Sequence, residues 1–173
     1  MRRLVGCVLA TMVLSVVAAR ATPSELQGLV TADRPAGCSK YSYLFWDFYR
    51  AELWTDEADL PGGAFGLSLT YLSDFSRDEL IKSSVDEMVR ISGLPEGSFV
   101  EAQREMQQTF RDVEPGDRIT AWRVDEKELR LFVNGQETGA LTNHVDMFLA
   151  IWLGDETRHP KGREALLAGH CDD

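Results

Sequence analysis

Residues 41–54 are rich in aromatic side chains and constrain the fold more than any other segment. Successive side chains of a strand point to opposite faces, and aromatic residues favour strands. Tyrosine, phenylalanine and tryptophan occupy both alternating positions here. The pattern predicts one extended strand that needs cover on both faces, either from other elements of the fold or from a ligand.

The next part of the chain carries signals for a short strand and two helices. Residues 67–71 alternate apolar and polar side chains, which is typical of a strand with one buried face. Ser76 and Glu79 have the spacing of a capping box, and they open a helix that Gly93 ends. A second helix is predicted to begin at Ser98.

A group of strands follows. Residues 119–124 and 129–133 are rich in apolar and β-branched side chains and are predicted to be strands. Asn134 and Gly135 come next, and this pair favours a tight hairpin because both residues tolerate positive φ. A third strand is therefore expected to run back to about Leu141.

The chain is predicted to finish with helix. Asn143 is expected to cap a helix that ends at Gly154, and residues 163–168 to add a last turn or two. Strands and helices are thus segregated along the chain and do not alternate. This order predicts an α+β fold with a mostly antiparallel sheet and helices packed on one face.

The first residues have the three parts of a secretory signal. A basic start precedes an apolar run of about 15 residues, and small residues precede a cut after Ala21. The run is short for a membrane span, although an uncleaved anchor is the alternative. We expect a signal peptide at 1–21, a loop segment at 22–37 and one domain at 38–173, in a periplasmic or secreted protein with no stable membrane span after processing.

The charge balance argues against a nucleic-acid partner. The chain has 18 Lys+Arg and 28 Asp+Glu, hence a formal net charge of −10. Removal of the predicted signal would take away three arginines and no acid, which leaves −13. Phosphate backbones need a basic surface, so nucleic acid is excluded as the expected partner.

Two cysteines remain after the predicted cleavage. Cys38 and Cys171 lie at opposite ends of the predicted domain. An exported protein with one pair of cysteines is expected to join them in a disulfide. Two unrelated free thiols are the alternative.

No familiar catalytic or metal-binding motif is present. His144 falls in the first turn of the last long helix, where it would serve as a proton donor or as an axial ligand to haem. A half-buried or capping histidine is the simpler interpretation. His159 and His170 are expected at the surface. We therefore expect no cofactor and no metal, with haem bound through His144 as the alternative.

Several segments, taken in order, resemble the chalcone isomerase-like family and in particular its bacterial branch. The segments are residues 48–54, 67–72, 76–80, 84–88, 113–119, 134–135 and 148–154. The last of them contains the sequence Ile-Trp-Leu-Gly. Together they cover roughly residues 37–168.

The resemblance implies an open-faced β-sandwich, in which a large antiparallel sheet packs against helices and leaves a ligand cleft between them. Plant enzymes of the family close a chalcone to a flavanone, and relatives bind fatty acids. The resemblance places Leu44 and Ile151 near the positions where those enzymes carry threonines. The resemblance therefore implies a non-catalytic protein that binds an apolar small molecule, either fatty acid-like or planar and aromatic. An active intramolecular lyase of the chalcone isomerase type is the alternative, and a protein partner stays open.

The expected cleft combines the aromatic segment with the last long helix. Its candidate ligand-binding residues are Tyr41, Tyr43, Phe45, Tyr49, Tyr71, His144, Phe148 and Ile151. Most of these side chains are aromatic or aliphatic, which suits an apolar ligand.

Overall fold

Six strands form one antiparallel sheet in which their spatial order is the same as their order in sequence. The computed structural model describes residues 21–56, 63–169 and 171, and the following elements lie in those ranges. The strands are β1 (Gly37–Tyr43), β2 (Trp46–Trp54), β3 (Phe65–Tyr71), β4 (Arg118–Arg123), β5 (Leu129–Val133) and β6 (Gln136–Leu141). The helices are α1 (Arg77–Ser92), α2 (Val100–Thr109), α3 (Val145–Leu153) and α4 (Pro160–Leu167). The predicted α+β architecture is confirmed.

The local signals at α1 and at the β5–β6 turn are confirmed. Ser76 caps α1: its Oγ accepts a hydrogen bond from the Glu79 backbone N–H at 3.3 Å, and the Glu79 carboxylate accepts one from the Ser76 N–H at 2.9 Å. Gly93 ends the helix at φ +69°. Asn134 and Gly135 take φ values of +50° and +83°, as a tight hairpin requires.

The prediction of one strand over residues 41–54 is wrong. The chain reverses at Leu44 and Phe45, and Tyr43 pairs with Trp46 across the turn. Leu44 takes a φ of +55°, a conformation in which bulky residues are uncommon. No glycine, asparagine or proline marks this turn, so the strand propensity of the aromatic residues concealed it.

The predicted cap of α3 is wrong by one residue. His144 occupies the cap position at φ +57°. The Asn143 amide instead donates to Glu105 Oε1 at 2.8 Å, and Glu105 Oε2 accepts from the Thr142 backbone N–H at 2.9 Å. Glu105 on α2 therefore binds Thr142 and Asn143, the two residues before the cap of α3. This contact joins distant parts of the sequence, so no local pattern could show it.

Two further helix boundaries differ from the predictions. The second helix was expected from Ser98, but a 3-10 turn at Glu96–Phe99 comes before α2. The last helical turns were expected at 163–168, but α4 begins at Pro160, where the ring's fixed φ suits the first turn of a helix.

The helices cover one face of the sheet, which we call the inner face. Side chains from both layers form a continuous apolar core, including Leu53, Phe65, Met88, Met106 and Leu129, each fully buried. None of the helices in the described ranges combines the length and apolarity needed to cross a membrane.

The N-terminal segment covers part of the opposite, outer face. Leu26 and Val30 pack against Trp54, Trp122 and other apolar side chains. A Cβ on Gly66 of β3 would lie 2.8 Å from Leu26, so only glycine lets the segment approach this closely. Residues 22–37, predicted as a loop, therefore contribute a second, smaller core.

A buried ion pair between Glu25 and Arg118 fixes this N-terminal segment to the sheet. The Glu25 side chain is 0% exposed and receives hydrogen bonds from Arg118 Nε and Nη2, both at 2.9 Å. Thr120 Oγ1 donates to the same carboxylate at 2.6 Å. Burial opposes ionisation of Glu25, but these hydrogen bonds outweigh it and lower its pKa below the ordinary value of 4.5.

The structure contains the expected disulfide. Cys38 in β1 is bonded to Cys171, 133 positions later, and α4 packs on β1 beside the bridge. Gly37 permits this contact, because a Cβ there would lie 2.0 Å from the Leu166 carbonyl oxygen. In the chain-entropy description a loop of this length stabilises the fold by about 5 kcal/mol. The predicted signal peptide lies outside the described residues, apart from Ala21.

Replacement of Glu25 by glutamine tests the buried ion pair. We expect Glu25→Gln to lower the free energy of unfolding by about 2–3 kcal/mol at neutral pH, because it leaves the Arg118 charge half-buried without its partner. Since the pKa of Glu25 is lowered by folding, its contribution is complete above about pH 4.5 and declines as the pH falls through the folded-state pKa. Urea denaturation at a series of pH values measures both effects.

Glu137→Gln is the matched control. Glu137 pairs with Arg130 on the sheet surface with its side chain 43% exposed, so the same substitution should cost less than about 1 kcal/mol. Equal losses of stability in the two variants would contradict the role assigned to Glu25.

Candidate functional site

A cavity of about 270 Å³ lies between the inner face of the sheet and the helices. Its sheet wall is formed by Leu67, Leu69, Ile119, Ala121 and Leu131. Its helix wall includes Leu80 of α1 together with Phe148, Ile151 and Trp152 of α3. Small and aliphatic side chains in the middle of the sheet therefore leave room for an apolar guest.

Three tyrosines in mutual contact line the end of the cavity nearest β1. The rings of Tyr41 and Tyr49 stack with centroids 4.9 Å apart, and Tyr71 meets Tyr49 edge-on at 5.8 Å. Trp152 Nε1 donates a hydrogen bond to the Tyr49 hydroxyl at 3.0 Å, which joins α3 to β2. Burial raises the pKa of all three tyrosines well above the usual value near 10.

The Tyr41 hydroxyl differs from its surroundings, because it is buried and has no hydrogen-bond partner among the described residues. An unpaired buried hydroxyl costs about 1–3 kcal/mol. The Tyr41 ring also packs edge-on against His159, with centroids 4.8 Å apart. A polar group of a ligand placed at this end of the cavity would satisfy the hydroxyl.

Charged groups lie at the same end. Glu87 of α1 accepts hydrogen bonds from Arg158 Nε and from Arg90 Nη2, the latter at 2.9 Å. Glu87, Arg158 and His159 all line the cavity, and two arginines face one carboxylate there. Burial lowers the pKa of His159, so the ring is neutral at neutral pH.

A second, more open hollow adjoins the cavity and is more polar than the cavity. It shares Tyr41, Arg158 and His159 with the cavity and adds Lys40 and Lys161. The apolar cavity thus leads into a basic hollow at one end. This arrangement suits an amphiphile with an apolar body and an anionic head.

Five of the eight candidate residues line the cavity: Tyr41, Tyr49, Tyr71, Phe148 and Ile151. Their part in ligand binding stays a prediction. Tyr43 lies in β1, and its side chain is outside the described part of the chain.

Phe45 and His144 lie outside the lining of the cavity. The Phe45 side chain is 98% exposed, because the unexpected turn places it beyond the ends of β1 and β2. His144 caps α3, with Nε2 3.1 Å from the Ser98 carbonyl oxygen and its ring 4.8 Å from that of Phe99. Neither side chain lines the cavity, so the structure does not bring His144 to a place where it could hold haem there.

Sequence reasoning missed the polar end of the cavity. Glu87 and Arg158 lie 71 positions apart and meet only through the packing of α1 against the segment before α4. His159 was expected at the surface, and it remains exposed on one side while it lines the cavity on the other. No spacing in the sequence signals these contacts.

These elements form the chalcone isomerase-like, open-faced α+β fold that the sequence resemblance implied. Among solved structures, the crystal structure of the Arabidopsis thaliana fatty-acid binding protein AtFAP1 is similar, with a TM-score of 0.57. The two sequences are 15% identical, and the match covers 80% of this chain and 89% of that one. At this identity the likeness shows the fold alone. No protein-family model and no curated protein matches the chain.

Alkaline titration tests the burial of the tyrosines. The raised pKa values of Tyr41, Tyr49 and Tyr71 mean that their neutral forms are favoured by folding, so stability is complete below about pH 10 and is lost as the pH rises further. Tyrosinate absorbance, followed together with circular dichroism, should show at most one of the four tyrosines ionising before the chain unfolds. Ionisation of two or more in the folded protein would contradict the closed tyrosine cluster.

Proposed function

We propose that this protein binds a fatty acid-like monocarboxylate without converting it. The observation that carries the proposal is the gradient of polarity along one cavity, which is apolar between sheet and helices and basic where it meets the neighbouring hollow. An apolar cavity with a few convergent polar groups is the usual form of a small-molecule site.

The size of the cavity favours a medium chain. A volume of 270 Å³ exceeds the roughly 150 Å³ of an apolar cavity known to hold benzene. At about 30 Å³ for a group the size of a water molecule, it accommodates about nine such groups. A saturated acid of about ten carbons, with its head group in the basic hollow, suits this space.

Arg158 and Tyr41 are the groups that we assign to the carboxylate. Arg158 uses Nε to bind Glu87, and its guanidinium fork suits a second carboxylate. The Tyr41 hydroxyl would gain the hydrogen bond that it lacks in the described structure. The neighbouring tyrosines stay neutral at ordinary pH, so they add no repulsion toward an anionic head.

The fold and the disulfide support a binding role in an oxidising compartment. AtFAP1, which shares the fold, is named a fatty-acid binding protein. The Cys38–Cys171 disulfide suits a protein that is exported, as the signal-like first residues also predict. We place the chain with the bacterial, non-catalytic relatives of the chalcone isomerases, in the periplasm or outside the cell, with no cofactor.

Calorimetric titration with decanoate tests the proposal. We expect Arg158→Gln to weaken binding about tenfold through loss of a charge-assisted hydrogen bond, and Tyr41→Phe to weaken it about fivefold. Tyr41→Phe should leave the thermal stability of the unliganded protein equal or higher, because it removes an unpaired buried hydroxyl. Ala121→Phe should abolish binding by filling the cavity.

Arg104→Gln is the control, because Arg104 is an exposed arginine paired with Glu101 on α2 and should leave affinity unchanged. Methyl decanoate should bind the native protein more weakly than decanoate does. The Arg158→Gln variant should bind methyl decanoate and decanoate with equal affinity. Failure of the native protein to bind decanoate or related acids would refute the proposal. Cyclisation of a chalcone by the native protein would contradict its non-catalytic part.

A further inference from the structure

The turn between β1 and β2 exposes three consecutive large apolar side chains. Leu44 is 78% exposed, Phe45 98% and Trp46 69%; we call these three residues the hairpin tip. The other large apolar side chains that are exposed in the described ranges stand apart from one another in sequence. Single exposed apolar residues need no explanation, but a contiguous set marks a surface that binds something.

The backbone of the hairpin tip carries a cost. Leu44 adopts a φ of +55°, where glycine or asparagine would be favoured and a leucine costs roughly 1 kcal/mol. Glycine would also expose no large apolar side chain at this position. A strained, apolar residue at this position gives no visible benefit to the fold, since its side chain is mostly outside the core.

We propose that the hairpin tip inserts into the interface of a lipid bilayer and docks the cavity entrance on the membrane surface. Leucine, phenylalanine and tryptophan are the apolar side chains that interfacial segments place at the boundary of head groups and acyl chains. A two-residue turn presents them at the end of a rigid pair of strands, so they enter a bilayer without local unfolding.

Charge behind the hairpin tip supports this occupant. Lys40 and Arg50 lie directly opposite each other in the β1–β2 pair, each four positions from the hairpin tip, and both are exposed. Asp47 is the acidic residue next to the hairpin tip; its carboxylate pairs with Lys40 at 3.0 Å and accepts a hydrogen bond from the Ser42 hydroxyl at 2.6 Å, so Arg50 supplies the net positive charge here. Basic side chains at this distance would reach lipid phosphates, although the chain as a whole is acidic.

The hairpin tip is continuous with the cavity. Phe48 lies two positions after Trp46, and Tyr41 lies three positions before Leu44; both line the cavity. A strand rises about 3.3 Å per residue, so the hairpin tip lies about 7 Å from Phe48 and about 10 Å from Tyr41. A membrane that receives the hairpin tip therefore comes close to the basic hollow that carries Arg158 and Lys161.

The size of the hairpin tip argues against a second copy of the chain as its occupant. Three large side chains bury about 500 Å² at most, whereas stable protein interfaces bury about 800 Å² on each partner. Insertion into lipid needs no matching surface on a partner. Docking does not require a bound ligand, so it stands or fails separately from the proposed function.

Vesicle flotation of the full chain tests the proposal, with phosphatidylcholine vesicles and with phosphatidylcholine–phosphatidylglycerol vesicles and no added fatty acid. We expect the native protein to float with both kinds, more strongly with the second. Trp46 provides a direct signal, because the other three tryptophans are at most 6% exposed. Its fluorescence should shift to the blue on binding and be quenched by brominated lipid.

The combined substitution Leu44→Gly and Phe45→Ser should reduce vesicle partition about tenfold or more. It should leave solution affinity for decanoate and thermal stability intact, because glycine suits the positive φ and Phe45 is outside the core. Leu94→Ser combined with Val100→Ser is the control, since it removes two exposed apolar side chains elsewhere. The control should partition like the native protein.

Three results would overturn the proposal. The native protein stays in the soluble fraction with both vesicle types, the hairpin-tip variant partitions as the native protein does, or Trp46 shows no shift when vesicles bind. A native dimer that the hairpin-tip substitutions dissociate, with no vesicle binding, would assign the hairpin tip to self-association and would also overturn it.

Discussion

The hydrogen bond between Trp152 and Tyr49 joins the two layers of the molecule across the cavity. Both rings are large, and both belong to the inner core. The bond holds α3 at a fixed height above β2, while Ala121 and the aliphatic side chains of the sheet are too short to fill the space beneath. The cavity follows from this arrangement, because the large rings of Trp152 and Tyr49 lie at one side and smaller side chains lie at the centre.

The sequence predicted the elements of the fold better than the contacts between them. The capping box at Ser76 and the hairpin at Asn134 depend on residues a few positions apart, so their chemistry is visible locally. The turn at Leu44 was missed because its side chains favour strands and only the backbone departs from the strand. The displaced cap of α3 depends on Glu105, which lies in another helix.

The site shows the same contrast between features that local sequence reveals and contacts that form between distant segments. Tyr41 and Tyr49 could be assigned to one wall because strand geometry directs side chains of the same parity to one face. The charged end could not, because Glu87, Arg90 and Arg158 meet only after α1 and the segment before α4 pack together. His144 occupies the cap position of α3 at positive φ and contacts Phe99, so the structure agrees with the simpler interpretation of a capping histidine.

The Cys38–Cys171 bridge gives the molecule an unusual mechanical character. Cys38 lies in the edge strand β1 and Cys171 follows α4, so the covalent link joins the start of the sheet to the segment after that helix. A force that pulls on the two ends would first peel residues 22–36 from the outer face and break the contacts of Glu25. The force would then be carried by the disulfide between Cys38 and Cys171 and not by the strands. The sheet and its cavity are thus shielded from tension along the chain for as long as the bridge stays oxidised.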